Sequence, residues 1–207
     1  MAKKNYAQER MMAQKQKEFE KQIKRIRIFP LIALFLSAVT LLLFLLDWAA
    51  VYNADMSGNE VRISGFNCLF AALGGNYSKA SAALGDMAVP FNYYAGSQVR
   101  VLSVLTIFAF LAVLANLIVR LVAGITNKKG ASVISLAISA VEVGLFVACF
   151  AVALSIENAE ILSGYCGGNP ACSIKSQAIL PGVLAALSAC LPAISIAGYQ
   201  KAKKILE

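Results

Sequence analysis

One carboxylate stands deep in an apolar stretch of this chain, and the residues that share its helical face are polar. Ser132, Ser135, Ser139, Glu142 and Cys149 recur at intervals of three, four, three and seven, which places them on one side of a helix. The apolar stretch before it carries a matching strip, Ala109, Ala112, Asn116 and Arg120. If the two stretches form a hairpin these strips oppose each other, with Asn116 closer in depth to Glu142 than Arg120 is. Two chemistries suit such a set. One is a polar clasp between helices. The other is a polar path with an ion site at Glu142, because an ionised group at the middle of a bilayer costs about 3 kcal/mol or more unless it is paired or solvated.

The same inventory argues against catalysis. The chain has no histidine, so no Ser-His-Asp or Cys-His arrangement can be built. No glycine-rich nucleotide fingerprint follows a strand and opens a helix. A lone acid offers no carboxylate pair, and the cysteines show no second pair at finger spacing. A protein that is not an enzyme is expected, with no cofactor and no metal.

The elements that hold these residues are long apolar runs. Of 207 residues 59% are hydrophobic and 14% charged, against about half and a quarter in a soluble domain. Four runs, 28–51, 101–123, 131–156 and 177–199, reach the roughly 20 residues that cross a hydrocarbon core as a helix. None alternates with the period of two that a barrel requires. The expected fold is an all-α integral membrane protein: a four-transmembrane-helix bundle with a cytoplasmic N-terminal helix and a small mixed outer subdomain.

Charge sets the expected orientation. Nine of the 19 Lys and Arg lie in residues 1–27; Arg120, Lys128 and Lys129 flank the hairpin at 124–130, and Lys201, Lys203 and Lys204 lie in the tail at 200–207. The other two connections carry only Arg62, Lys79, Arg100 and Lys175. The positive-inside rule then puts both termini in the cytoplasm and the chain in the plasma (cytoplasmic) membrane, with its net charge of +8 facing an anionic inner leaflet. The head of 27 residues is too long for a cleaved signal, so the first run reads as a signal anchor. Trp48, Tyr52 and Tyr199 fit interfacial belts. Nucleic acid is not an expected partner.

Residues 52–98 are rich enough in Ala, Phe, Leu and Tyr to fold as an outer loop subdomain, in which 60–64 alternates like a strand and 66–73 resembles a short helix. A second outer loop, 157–176, holds Cys166 and Cys172 around a Gly-Gly-Asn-Pro turn. These two can pair, or Cys68 can pair with one of them and staple the loops together. The fourth run carries Ala185, Ala189, Ala193 and Ala197, a small-residue series suited to close helix packing, and Pro192, a candidate kink or gate.

A long first loop, a short second one and cytoplasmic termini make a layout similar to claudins, connexins and other tetraspans in topology alone. The first loop has the single Cys68, with Trp48 at its edge, where claudins carry a cysteine pair with a tryptophan signature and connexins three cysteines per loop. No functional residue is carried over. Two classes of function are expected: an assembly protein that binds copies of itself or a larger membrane complex, or an oligomeric channel or transporter subunit with a polar path near Glu142.

Overall fold

The computed structural model describes residues 2–52, 60–66, 88–126, 128–157 and 172–206. In chain order these form α1 (Ala2–Ile26), α2 (Ile28–Leu43), β1 (Asp47–Tyr52), β2 (Glu60–Ser64), α3 (Ala88–Thr126), α4 (Lys129–Glu157), β3 (Cys172–Ile174), a 3-10 turn (Ser176–Ala178) and α5 (Leu180–Leu206). The architecture is a helical bundle. Four segments are long and apolar enough to cross a membrane: Arg10–Leu43, Arg100–Thr126, Lys129–Ser155 and Ser176–Ile205.

The helices close into a ring in which α2 packs on α3 and α5, and α4 packs on α3 and α5. The link between α3 and α4 is two residues long, which forces an antiparallel pair. Arg27, at the start of α2, donates from Nε to the carbonyl of Gly124 near the end of α3 (2.6 Å), so these two helices are antiparallel as well. Close approach is built into the basic end of the ring. A Cβ on Gly124 would stand 2.8 Å from Leu31 Cδ2, and one on Gly198 would stand 2.8 Å from Ile26 Cγ1.

Helix α1 runs into α2 with a break of one residue. Pro30 lies in the first turn of α2, and its ring would collide with the carbonyl of Ile26, four residues back. Arg27 keeps helical dihedrals (φ −57°, ψ −26°) and its N–H still reaches the Ile23 carbonyl. Ile26, with Phe19 and Ile23, packs on Tyr199 and Ala202, so α1 follows the last turns of α5. Tyr199 is buried there, and not at an interfacial belt as expected.

The first apolar run departs from the expected helix over 28–51. Helix ends at Leu43, the chain tightens through i−3 bonds at Phe44, Leu45 and Leu46, and β1 begins at Asp47. The freed carbonyls find donors: Leu43 accepts from the Trp48 indole (3.0 Å), Phe44 from Phe66 N (2.9 Å) and Leu46 from Gly65 N (3.2 Å). Trp48 is therefore a helix-capping core residue and not an interfacial one. β1 pairs antiparallel with β2 on one edge and β3 on the other, in the order β2-β1-β3. The strand expected at 60–64 is β2. The helix expected at 66–73 falls largely outside the described residues, as do Cys68 and Cys166; Cys172 stands opposite Val51 on β3. Cys149 and Cys190 are free thiols.

The remaining helices outrun their expected spans. α3 starts thirteen residues before the apolar run at 101, α4 spans Lys129–Glu157, and α5 continues past 199 through Lys201, Lys203 and Lys204 to Leu206. The apolar run marks only the part of a helix that prefers hydrocarbon, and a basic extension continues it without a break.

Each helix turns a small or polar edge inward and a large apolar edge outward. The inner edges are Pro30, Ala33, Ser37 and Thr40 on α2, with Phe44 just past its end; Ser103, Thr106, Ala109, Val113, Asn116 and Arg120 on α3; Ser132, Ser135, Ser139, Glu142, Phe146 and Cys149 on α4; and Pro181, Ala185, Ser188, Pro192, Ser195 and Tyr199 on α5. Phe35, Phe108, Ile118, Val147 and Leu187 are more than half exposed. A soluble bundle has the opposite polarity. At the sheet end the interior becomes apolar, with Phe44 at the centre of Trp48, Ala109, Val113, Phe146 and Ala185.

The small-residue series on α5 does not act as one packing face. Ala185 is buried and Ala189 half-buried, but Ala193 and Ala197 are exposed. A strict spacing of four advances about 40° per step around a helix of 3.6 residues per turn, so the series winds off the contact face. Pro192 is buried inside α5, which is helical on both sides of it.

Candidate functional site

The candidate site is the polar layer in the middle of the bundle, and its hub is Arg120. This side chain is 1% exposed and carries five N–H donors, one on Nε and two on each terminal nitrogen. Nε donates to Ser135 Oγ (3.3 Å) on α4. One terminal nitrogen donates to the Ala33 carbonyl (3.0 Å) and to Ser37 Oγ, both on α2. The other donates to Ser139 Oγ (2.8 Å) on α4 and to Ser188 Oγ (3.0 Å) on α5. Five donors meet five acceptors, and with Arg120 itself on α3 the set engages all four helices of the ring.

Asn116 lies one turn away on α3 and ties the guanidinium layer to the carboxylate. Its Nδ2 donates to Ser139 Oγ and to Glu142 Oε2, both at 2.8 Å, while its Oδ1 accepts from Ser135 Oγ (2.8 Å). Ser139 Oγ donates in turn to the Ser135 carbonyl (2.7 Å), and Ser188 Oγ to the Ala185 carbonyl (2.9 Å). Arg120 and Glu142 are thus linked through Asn116 and Ser139. The carboxylate is 0% exposed, and its second oxygen, Oε1, has no hydrogen-bond partner.

The layer has a polar side and an apolar side. Toward the basic end, Ser132 and Ser195 pair across α4 and α5 (3.3 Å). Toward the sheet end, Val113, Ala109, Phe146 and Phe44 intervene before the next polar pair, Thr106 and Cys149 at 3.9 Å. Thr40 and Thr106 turn their hydroxyls back to the carbonyls of Leu36 and Leu102 in their own helices.

Of the residues the sequence singles out, the structure joins Asn116, Arg120, Ser135, Ser139 and Glu142 in one network. Ser132 lies one pair further toward the basic end, and Ala112 is only half-buried. Of the alanine series and Pro192, Ala185 alone touches this layer, through its carbonyl, which accepts from Ser188 Oγ. Sequence reasoning misses Ser37, Ser188 and the Ala33 carbonyl. The signal was present: Ala33, Ser37, Thr40 and Phe44 repeat at four, three and four within a run dominated by Leu, Ile and Phe. Among the described residues, no group of three or more His, Cys, Asp or Glu could hold a metal. Comparison of the chain with protein families, curated proteins and solved structures finds no match.

Proposed function

We propose that the chain is an integral membrane protein without enzymatic activity that works by self-assembly or as a subunit of a larger membrane complex. The observation that carries this reading is the closed hydrogen-bond set of Arg120. Each of its donors is matched inside the chain by α2, α4 and α5, so the interior is locked and the outer faces are left as the working surfaces. Those faces are apolar along the four long helices and basic at the end formed by Lys128, Lys129, Lys201, Lys203 and Lys204, which suits a bilayer with an anionic leaflet at that end. A channel or transporter subunit is the second reading, supported by the buried hydroxyls that extend from Ser132 and Ser195 to Glu142.

Orientation is tested by labelling. With the basic end cytoplasmic, Lys129→Cys in a chain whose native cysteines are replaced by serine stays unlabelled by an impermeant thiol reagent in intact cells and reacts after permeabilisation, while Lys79→Cys in the same background reacts from outside. Labelling of Lys129→Cys from outside reverses the proposed topology.

Assembly is tested at a native thiol. Ala186, Cys190, Ala193 and Ala197 are exposed and spaced by four, three and four on α5, a face that admits a second helix at short range. Oxidation of the bilayer-embedded protein is expected to give a dimer linked through Cys190 that is lost in Cys190→Ala. Absence of the dimer, together with single-step photobleaching of labelled molecules, removes self-assembly and leaves a heteromeric partner.

A further inference from the structure

The polar layer leaves one oxygen over. Arg120 spends all five donors, Asn116 spends both amide hydrogens and its carbonyl oxygen, and the hydroxyls of Ser135 and Ser139 each give one bond and accept from neighbours. Glu142 Oε2 accepts from Asn116. Glu142 Oε1, on a residue with 0% exposure, has no partner. A buried polar atom left this way carries a desolvation cost, more for a charged group. It is the position in this layer where a further bond can form with every other bond kept.

We infer that Glu142 Oε1 is a proton-binding site inside the bundle, open to exchange from the basic end only. The ligand follows from what the site supplies. A metal cation such as calcium takes six or more oxygens, and the neighbouring oxygens of Ser135, Ser139 and Asn116 are already engaged. A proton needs one. Binding forms an Oε1–H bond and breaks an O–H bond of hydronium, releasing water, and the layer gains one positive charge.

The direction of exchange follows from the walls. Hydroxyls of Ser132, Ser195, Ser135 and Ser139 lie on the basic side of the carboxylate, whereas Val113, Ala109, Phe146, Phe44 and Trp48 form the other side and carry no relay group between them. Among the described residues, the other titratable or charged side chains facing this interior are Arg120 on α3, Cys149 on α4, beyond Phe146, and Tyr199 on α5, at the basic end past Ser195. α2 and α5 contribute only Ser37, Thr40 and Ser188 at this depth. When Glu142 is ionised it draws Arg120 toward α4. When the proton is bound that pull is lost, and Arg120 is held by its five hydrogen bonds alone. Occupancy therefore biases how firmly α2 and α5 are held. The inference does not depend on whether copies of the chain assemble.

The test uses the full chain in lipid bilayers, with proton concentration as the variable and two readouts. One is the infrared carbonyl band of a protonated carboxyl group in an apolar setting. The other is emission from Trp48, the one tryptophan in the chain, which touches Phe44 and through it Phe146, one turn from Glu142. The expected result is that band and emission titrate together in the native chain and that both changes vanish in E142Q, which keeps the shape and the Asn116 contact. Should E142Q fail to fold, isotope labelling of glutamate in the native chain assigns the same band. In vesicles, a pH step on the basic side moves the emission and a step on the sheet side does not. Four outcomes overturn the inference: no protonated-acid band at any pH, the same titration in E142Q, an emission change after a pH step on the sheet side, or a titration that shifts when sodium replaces choline at constant ionic strength, which assigns the oxygen to a metal cation.

Discussion

Replacing Arg120 by leucine is expected to destabilise the bundle by about 3–5 kcal/mol, the cost of stranding the partners of a buried charge. The variant leaves the hydroxyls of Ser37, Ser135, Ser139 and Ser188 and the Ala33 carbonyl without their donor, and Glu142 without a nearby cation. Counting hydrogen bonds gives a similar size, since five bonds at about 0.6 kcal/mol each inside a membrane come to about 3 kcal/mol. Lysine should recover only part of this. Its three donors radiate from one point at the end of a flexible stem, whereas the five acceptors here lie on three helices around a planar fork. The double variant R120L/E142L is expected to be more stable than R120L, because an apolar pair of similar volume strands no charge. Denaturant unfolding in bicelles, followed by Trp48 emission, measures all four chains. An R120L protein as stable as the native one would show that the network contributes nothing.

The second large effect is expected at Phe44. Its ring is fully buried, with centroids 4.8 Å from Trp48, 5.2 Å from Phe110, 6.1 Å from Phe146 and 6.3 Å from Phe66. Truncation to alanine opens a cavity where α2, α3, α4 and the sheet meet, and a buried Phe→Ala change costs about 3–5 kcal/mol. Phe35→Ala, on the exposed side of the same helix at 66% exposure, is the control and should change stability by less than about 0.5 kcal/mol. F44A should also shift Trp48 emission to the red in the folded state, which F35A should not. Equal stabilities for the two variants would mean that the aromatic cluster does not hold the sheet to the bundle.

The pairing of Asn116 with Glu142 was legible in the sequence because both lie on helices joined by a short basic link, and helical spacing alone aligns their polar edges. The strand at Glu60–Ser64 was legible from its alternation. Arg120 was visible, but its role was not: counted from the hairpin it lies about two turns short of Glu142, and a guanidinium bridges that distance through Ser139 and Asn116, not by contact. Ser37 and Ser188 were missed because their surroundings, Leu-rich in one case and Ala-rich in the other, suggest lipid or helix packing when the whole run is weighed instead of one edge. Trp48 and Tyr199 were assigned to interfaces from their distance along an apolar run. Each is buried by an element the run does not contain, Gly65–Phe66 and the sheet for Trp48, and α1 for Tyr199. An apolar run also cannot distinguish the end of a helix from a short strand that continues it, which is why β1 was hidden.

The order in which the chain leaves the ribosome gives α5 a particular weight. The hairpin of α3 and α4 has its link built in and can close as soon as both halves are made. Ser188, however, completes the acceptor set of Arg120, β3 covers the second edge of β1, and Tyr199 and Ala202 cover Ile26, and all of these lie in elements translated after α4. Until then the nascent chain holds a guanidinium hydrogen with no acceptor from α5, a bare strand edge and an uncovered helix junction, the features that chaperones and proteases recognise in unfinished proteins. A chain stopped before α5 is thus an incomplete fold and not a smaller version of this one, because the ring that encloses Arg120 has not closed.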